Sequence, residues 1–228
     1  MITSLDYSSD GKYLAVSGYH EVLLHKADGS ALEARLVGIS QRIQAVAFSP
    51  DGKLLASGGF IHSGNNERLR IHDFQSGELL QILKDHENAV VDLAFSPDGR
   101  WLVSGSSDDT VRLWKRSGSR FTSGPVLKGH ERQVYAVRLF EDQGRLRVVS
   151  TSMDHTVRLW DAASGRQLAL GRHENRAHSL AVGPDWIASA GEDSTIRIWD
   201  YTLRPMRTIR SKINPVGLAS HPDGNRLL

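Results

Sequence analysis

Three phrases in this 228-residue chain pair a histidine with an acidic side chain: DHENAV (85–90), GHERQV (129–134) and RHENRA (172–177). Each is followed by a polar turn and a tryptophan, in SSDDTVRLWK (106–115), SMDHTVRLWD (152–161) and GEDSTIRIWD (191–200). Serine, histidine and aspartate recurring together are the side chains of a hydrolase triad: nucleophile, general base and orienting acid. Two observations argue against that chemistry. An enzyme needs one nucleophile, whereas this pattern is written three times over. No G-x-S-x-G elbow or oxyanion motif accompanies any copy. The repetition points to architecture, and the chain is expected not to be an enzyme.

Other chemistries find less support. With no cysteine, the chain has no disulfide framework, thiolate metal site, cysteine nucleophile or covalent c-type haem attachment. Gly58-Gly59 with Gly64 lacks the Lys-Ser or Lys-Thr ending of a phosphate-binding loop. His20 with His25, and His62 with His72, have no acidic or cysteine partners at metal spacing and read as surface or strand residues. No metal and no cofactor is expected. The 28 Lys+Arg against 26 Asp+Glu leave a formal charge of +2 with no basic block. Arg112, Arg158 and Arg197, one in each tryptophan phrase, look like a sheet-face feature and not a nucleic-acid stripe. No apolar run approaches the roughly 20 residues of a membrane helix. The start, MITSLDYSSDG, lacks the regions of a signal peptide. Neither nucleic acid nor membrane is expected as a partner. A cytoplasmic location is expected, or a periplasmic one if a longer parent chain is exported.

The elements that position these residues are repeats. AFSPDGKLLASGG (47–59) and AFSPDGRWLVSGS (94–106) are two copies of one phrase, with looser copies at 6–18 and 219–228. Trp114, Trp160 and Trp199 lie 46 and 39 apart, so the period is about 42, in the range of stacked supersecondary units. VVDLAF (90–95) and VYAVRLF (134–140) alternate as strands do. Ser-Pro-Asp-Gly is turn chemistry, Pro presetting one dihedral and Gly accepting a positive one. WLVSG, TVRLW and a looser SGPVLK complete four strands, a to d, per unit. Units start near Ile2, Ile43, Val90, Val134, Ala177 and Pro215. A four-stranded sheet of this size cannot bury both its faces alone, and radial stacking of such sheets solves the problem.

With its GH, its aspartate turn and its Trp-Asp at regular spacing, the chain resembles the WD40-repeat β-propeller family over nearly its whole length. AVSGYHEVLLH (15–25) is similar to WD40 regions of bacterial proteins that carry further domains. The resemblance implies an all-β segment of five full four-stranded antiparallel blades plus part of a sixth, in a ring that is not closed. The implied blades are 1–38, 39–84, 85–128, 129–171, 172–210 and an incomplete 211–228. Seven blades of that period need roughly 65–70 residues more, which suggests a fragment of a longer protein with open blade edges prone to self-association.

The family's hydrogen-bonded tetrad of His, Ser or Thr, Asp and Trp maps onto His86, Ser104, Asp108 and Trp114. It maps again onto His130, Ser150, Asp154 and Trp160, and onto His173, Ser189, Asp193 and Trp199. The first two units depart from it. In the second, only Ser57 fits, with Ile39, Asn66 and His72 at the other places; in the first, Ser17 fits and His25 takes the Trp position. These two blades are expected to rely on apolar packing. The second also carries an insertion within FIHSGNNE (60–67), expected to fold back on its blade.

In a propeller the d–a and b–c loops share one face, and the starts of the a strands line the channel. Counting from the His positions places Thr3, Gln44, Val91, Tyr135, His178 and Val216 there. Arg132 and Arg176 lie on the loops beside them. Gln44, Val91, Arg132, Tyr135, Arg176 and His178 are the candidate partner-binding residues, a mixed set suited to a protein or peptide and not to a phosphate. The expected function is a non-catalytic protein–protein interaction platform. The alternative is a supporting or regulatory propeller domain of a larger enzyme, signalling or electron-transfer protein.

Overall fold

A computed structural model describes residues 2–37, 42–60, 69–221 and 226–227. These residues form five sheets of four antiparallel strands, each sheet a simple meander, and no helix. The first holds β1 (Leu5–Tyr7), β2 (Tyr13–Ser17), β3 (Glu21–Lys26) and β4 (Leu32–Val37). The second holds β5 (Arg42–Phe48), β6 (Leu54–Phe60), β7 (Leu69–Asp73) and β8 (Leu79–Leu83). The third holds β9 (Val90–Phe95), β10 (Trp101–Ser106), β11 (Val111–Ser117) and β12 (Arg120–Leu127). The fourth holds β13 (Val134–Asp142), β14 (Arg145–Ser152), β15 (Thr156–Asp161) and β16 (Gln167–Arg172). The fifth holds β17 (Ala177–Val182), β18 (Ile187–Gly191), β19 (Thr195–Trp199) and β20 (Pro205–Arg210).

Turn chemistry sets the first hairpin of each blade. In the second blade Ser49 Oγ donates to Asp51 Oδ1 (2.6 Å), Leu54 N donates back to Ser49 Oγ (2.9 Å), and Gly52 takes φ +67°. Ser96, Asp98 and Gly99 repeat the arrangement in the third blade, and Ser8, Asp10 and Gly11 in the first. The fourth blade uses a two-residue Gln143-Gly144 turn with both φ positive, +49° and +72°, which matches the twist of the flanking strands.

Blades touch their sequence neighbours through the first strands, which converge: β1 on β5, β5 on β9, β9 on β13 and β13 on β17. Buried apolar residues fall into four clusters, one at each junction between consecutive blades. Val103, Val111 and Leu113 of the third blade, for example, face Val137, Val148 and Trp160 of the fourth. The small residue after the recurring serine of the second strand permits this approach. A Cβ on Gly58 would stand 2.6 Å from Val90, and one on Gly105 2.8 Å from Val134. The fourth blade has Thr151 at that place, and the strand stacked on it opens with Ala177 where β9 and β13 open with valine.

First strands are also stitched to one another. Val46 N donates to Ser4 Oγ (3.2 Å), Phe48 N to Asp6 Oδ2 (2.6 Å) and Val137 N to Asp92 Oδ2 (2.9 Å). Beyond β20, where a sixth unit is expected, the described residues hold one isolated bridge, Ser220 to Leu227. Leu218 N nonetheless donates to Ser179 Oγ (2.9 Å), the same stitch one blade further on. The first unit begins as a strand at Leu5, later than the expected Ile2. Most of the insertion at 60–67, with Asn66 in it, and Ile39 lie outside the described residues.

Candidate functional site

The three sets of polar residues each form one hydrogen-bonded chain. In the third blade Trp114 Nε1 donates to Ser104 Oγ (2.9 Å), Ser104 Oγ meets His86 Nε2 (2.7 Å), and His86 Nδ1 meets Asp108 Oδ2 (2.8 Å). The fourth blade gives 2.9, 2.7 and 2.9 Å for Trp160, Ser150, His130 and Asp154. The fifth gives 2.8, 2.8 and 3.0 Å for Trp199, Ser189, His173 and Asp193. An indole can only donate and a carboxylate can only accept. In each set the indole therefore donates to the serine and the histidine Nδ1 donates to the aspartate.

This arrangement does not perform hydrolysis. Ser104, Ser150 and Ser189 are 0% exposed, so no substrate carbonyl reaches their hydroxyls. What the chain does is hold two loops to the sheet. Asp108 Oδ2 also accepts Glu87 N (2.9 Å) from the loop before the first strand, and Asp154 and Asp193 accept Glu131 N and Glu174 N likewise. A threonine, missed in reading the tetrads, completes each set: Thr110, Thr156 and Thr195 each donate Oγ1 to their aspartate at 2.6 Å. Its signal is the recurrence of Thr at the head of TVRLW, TVRLW and TIRIW. Burial pushes the three aspartates up, but the bonds from His, Thr and backbone outweigh it. Asp108 and Asp154 sit well below the usual carboxylate range, and Asp193 is lowered to about 2. Burial in turn lowers His130 and His173 despite their aspartates.

The second blade lacks this network among its described residues. Ser57 is 1% exposed and His72 5%, yet Ser57 Oγ and His72 Nε2 have no hydrogen-bond partner. His72 occupies the tryptophan position, and its Nδ1 reaches only Gly77 O at 3.4 Å. In the first blade Ser17 Oγ is instead satisfied by Thr3 N (3.1 Å) and Ser4 N (2.8 Å).

With both loop sets anchored, the first strands present a mixed cavity at their convergence. Thr3, Gln44, Val91, Tyr135 and His178, one from each blade, line a space of about 260 Å³ together with Asp92, Arg138 and Ser179. Val216, counted into the same ring by sequence, is 85% exposed and outside this lining, because its segment is not a strand. Arg138 Nη1 donates to Asp92 Oδ2 at 2.7 Å, so the lining holds one internal ion pair. The Gln44 Oε1 acceptor is buried with no partner. Burial lowers the His178 imidazole, which favours its neutral form. Arg132 is exposed on its loop beside the cavity, and Arg176 is half-buried and paired with Glu192 at 3.6 Å. Among the described residues no group of three His, Cys, Asp or Glu side chains is placed to hold a metal ion.

Comparison with known proteins places this geometry. The WD domain, G-beta repeat family matches residues 32–73, 77–115, 121–161 and 169–200. Each match begins in or just before the fourth strand of one blade and ends in or just after the third strand of the next, so the sequence repeat is staggered by one strand against the sheet. The chain is 31% identical over 173 residues to the nuclear distribution protein PAC1 of Arthroderma benhamiae, covering 71% of this chain and 36% of that protein. It is 33% identical over 189 residues to the nuclear distribution protein PAC1-2 of Uncinocarpus reesii, covering 72% and 41%. It is 29% identical over 188 residues to protein tipD of Dictyostelium discoideum, covering 81% and 29%. The matched region thus spans well under half the length of these curated relatives. Five meander sheets, three complete tetrads and four matched repeats together make this chain a member of the WD40 repeat family.

Proposed function

We propose that this chain is a non-catalytic platform that binds protein or peptide partners on the face made by its d–a and b–c loops and the adjoining channel mouth. One observation carries the reading: all five blades contribute to a single cavity, and the residues they contribute differ in kind. Tyr135 offers an aromatic face and a hydroxyl, Gln44 an unsatisfied acceptor, His178 an imidazole and Val91 an apolar patch. Such a set suits a folded loop or peptide, whose groups are themselves mixed, with Tyr135 and Arg132 as the anchors that interfaces favour. The tetrads supply rigidity: a surface already fixed loses little entropy when a partner docks.

The test is affinity capture with the intact chain, compared with Tyr135→Ala, Arg132→Ala and, on the opposite face, Lys53→Ala. The reading requires that partners held by the parent chain are lost or weakened at least tenfold by Tyr135→Ala and retained by Lys53→Ala. Capture unchanged in both Tyr135→Ala and Arg132→Ala removes this face from consideration.

A further inference from the structure

On the face of the a–b and c–d turns, opposite the partner-binding loops, two junctions between blades are closed by an aromatic ring. Phe74 packs on Tyr13 of the first blade at 5.1 Å between ring centres, and Tyr201 on Phe140 of the fourth at 4.6 Å. Between the second and third blades the same position holds Arg116, whose N donates to Arg100 O (2.8 Å) as Phe74 N donates to Lys53 O (2.9 Å). A cavity of about 500 Å³ opens there, within the size range of ligand clefts. Three cations, Lys53, Arg100 and Arg116, and three carboxylates, Asp51, Asp73 and Asp98, line it.

Only part of this charge is spent inside the molecule. The Arg116 side chain is 12% exposed and is fixed by two bonds, Nε to Gly118 O (2.7 Å) and Nη2 to Asp51 Oδ2 (2.8 Å). Its Nη1 makes no hydrogen bond among the described residues and lies over Gly99, which has no side chain to cover it. Arg100 Nε stands 3.7 Å from Asp98 Oδ2. Lys53 has no ion-pair partner among the described residues. Asp73 accepts Ser76 N and Oγ on Oδ1 (2.8 and 2.9 Å), and its Oδ2 accepts from no described residue. Arg116 Nη1 and Lys53 therefore remain as positive donors, and Asp73 Oδ2 as a negative acceptor, around one space.

We propose that this cavity binds a small zwitterion, its carboxylate held by Arg116 Nη1 and Lys53 and its ammonium by Asp73. Free amino acids and short peptides with both ends charged share that chemistry. The balanced lining selects for it: a plain anion leaves Asp73 unpaired, and a plain cation meets Lys53 and Arg116. The guanidinium is already largely desolvated and held in place, so it takes a carboxylate with little further ordering. The site is internal to the array, between two blades that each have a neighbour on both sides, and it is separate from the loop face.

The test is isothermal titration of the intact chain at low salt, where charge contacts near the surface are least screened. The probes are the common free amino acids and triglycine, with succinate and putrescine as controls that carry one sign of charge. At least one zwitterion should bind saturably, at least about tenfold tighter than either control. Tighter binding of a free amino acid than of triglycine assigns the ligand to that source, and the reverse order assigns it to peptides. Arg116→Phe, which copies the residue of the second blade, should fill the cavity and abolish binding, with the fold checked by circular dichroism. Lys53→Ala and Asp73→Asn change side chains at the rim and should each weaken binding at least about fivefold. The proposal is overturned if no zwitterion binds saturably, or if a control binds as tightly as the best zwitterion. Unchanged affinity in both Lys53→Ala and Asp73→Asn overturns it as well, whatever Arg116→Phe does to the fold.

Discussion

The same substitution at two equivalent buried serines should have unequal effects. Ser104→Ala removes a hydroxyl that accepts from Trp114 Nε1 and meets His86 Nε2, at 2.9 and 2.7 Å. Both partners are 1% exposed, so water does not replace the lost bonds. Leaving two buried polar groups unpaired costs about 1–3 kcal/mol each, so a loss of about 2–6 kcal/mol is expected. For a chain of this length that lowers the melting temperature by on the order of 4–24 °C. Ser57→Ala occupies the same place in the second blade, but Ser57 Oγ has no partner to orphan. Removing it also removes a buried unsatisfied hydroxyl, so the change should lie within about 0.5 kcal/mol of zero, of either sign. Urea unfolding followed by tryptophan fluorescence, with thermal melts alongside, gives both numbers. Equal losses at the two serines would show that the polar chain adds nothing beyond packing, and the account of the tetrads would be wrong.

Gly105→Ala should cost about 1–3 kcal/mol by pressing Cβ on Val134. Combined with Val134→Ala the loss should fall at least about 1 kcal/mol short of the sum, as a double-mutant cycle will show. The histidines set the mild-acid behaviour. His72, His130 and His173 are lowered from 6.5 by burial, so the unfolded chain binds protons first. Their contribution is complete above about pH 6.5 and falls as pH drops through the lower folded values. His72 alone of these has no carboxylate partner, and His72→Trp, which offers Ser57 an indole donor, should raise the urea midpoint more at pH 5.5 than at pH 7.5. Asp193 acts at stronger acid: its stabilisation is present above the unfolded value near 3.8 and lost as pH falls toward about 2, so Asp193→Asn should flatten that limb of the acid titration. Amide hydrogen exchange should be faster in the strands of the first two blades than in β10, β14 and β18; uniform protection would contradict the role given to the tetrads.

Much of this fold is legible because its signals are local. The Ser-Pro-Asp-Gly turn writes both its side-chain bonds and its positive φ within four residues, and each tetrad lies inside one sequence repeat. Counting from the His positions also picks out five of the residues around the cavity. The bonds between blades were not legible. Asp6 to Phe48 and Asp92 to Val137 join residues 42 and 45 apart, and no period marks which first-strand position is polar. The position after the Trp-Asp pair is a further case. Tyr201 stacks on Phe140 of the preceding blade at 4.6 Å, and Phe74 lies 5.1 Å from Tyr13 of its preceding blade, yet Arg116 there reaches Asp51 at 2.8 Å instead. An aromatic plug and an ionic strut fill one place, so composition at that site reveals neither. Val216 failed as a channel residue because counting assumes a strand, and strand formation there depends on pairing that its own segment does not supply.

The one-strand offset between repeat and sheet has a consequence for how such chains lengthen. A stretch copied from the end of one Trp-Asp to the end of the next carries histidine, serine, threonine, aspartate and tryptophan in a single piece. A duplicate therefore arrives with its polar circuit whole. It also arrives with an outer strand already committed to its upstream neighbour, so the newcomer is laced into the row at once. A copy cut directly ahead of each first strand would instead part each histidine from the strands it must bind, since that residue precedes the sheet it serves.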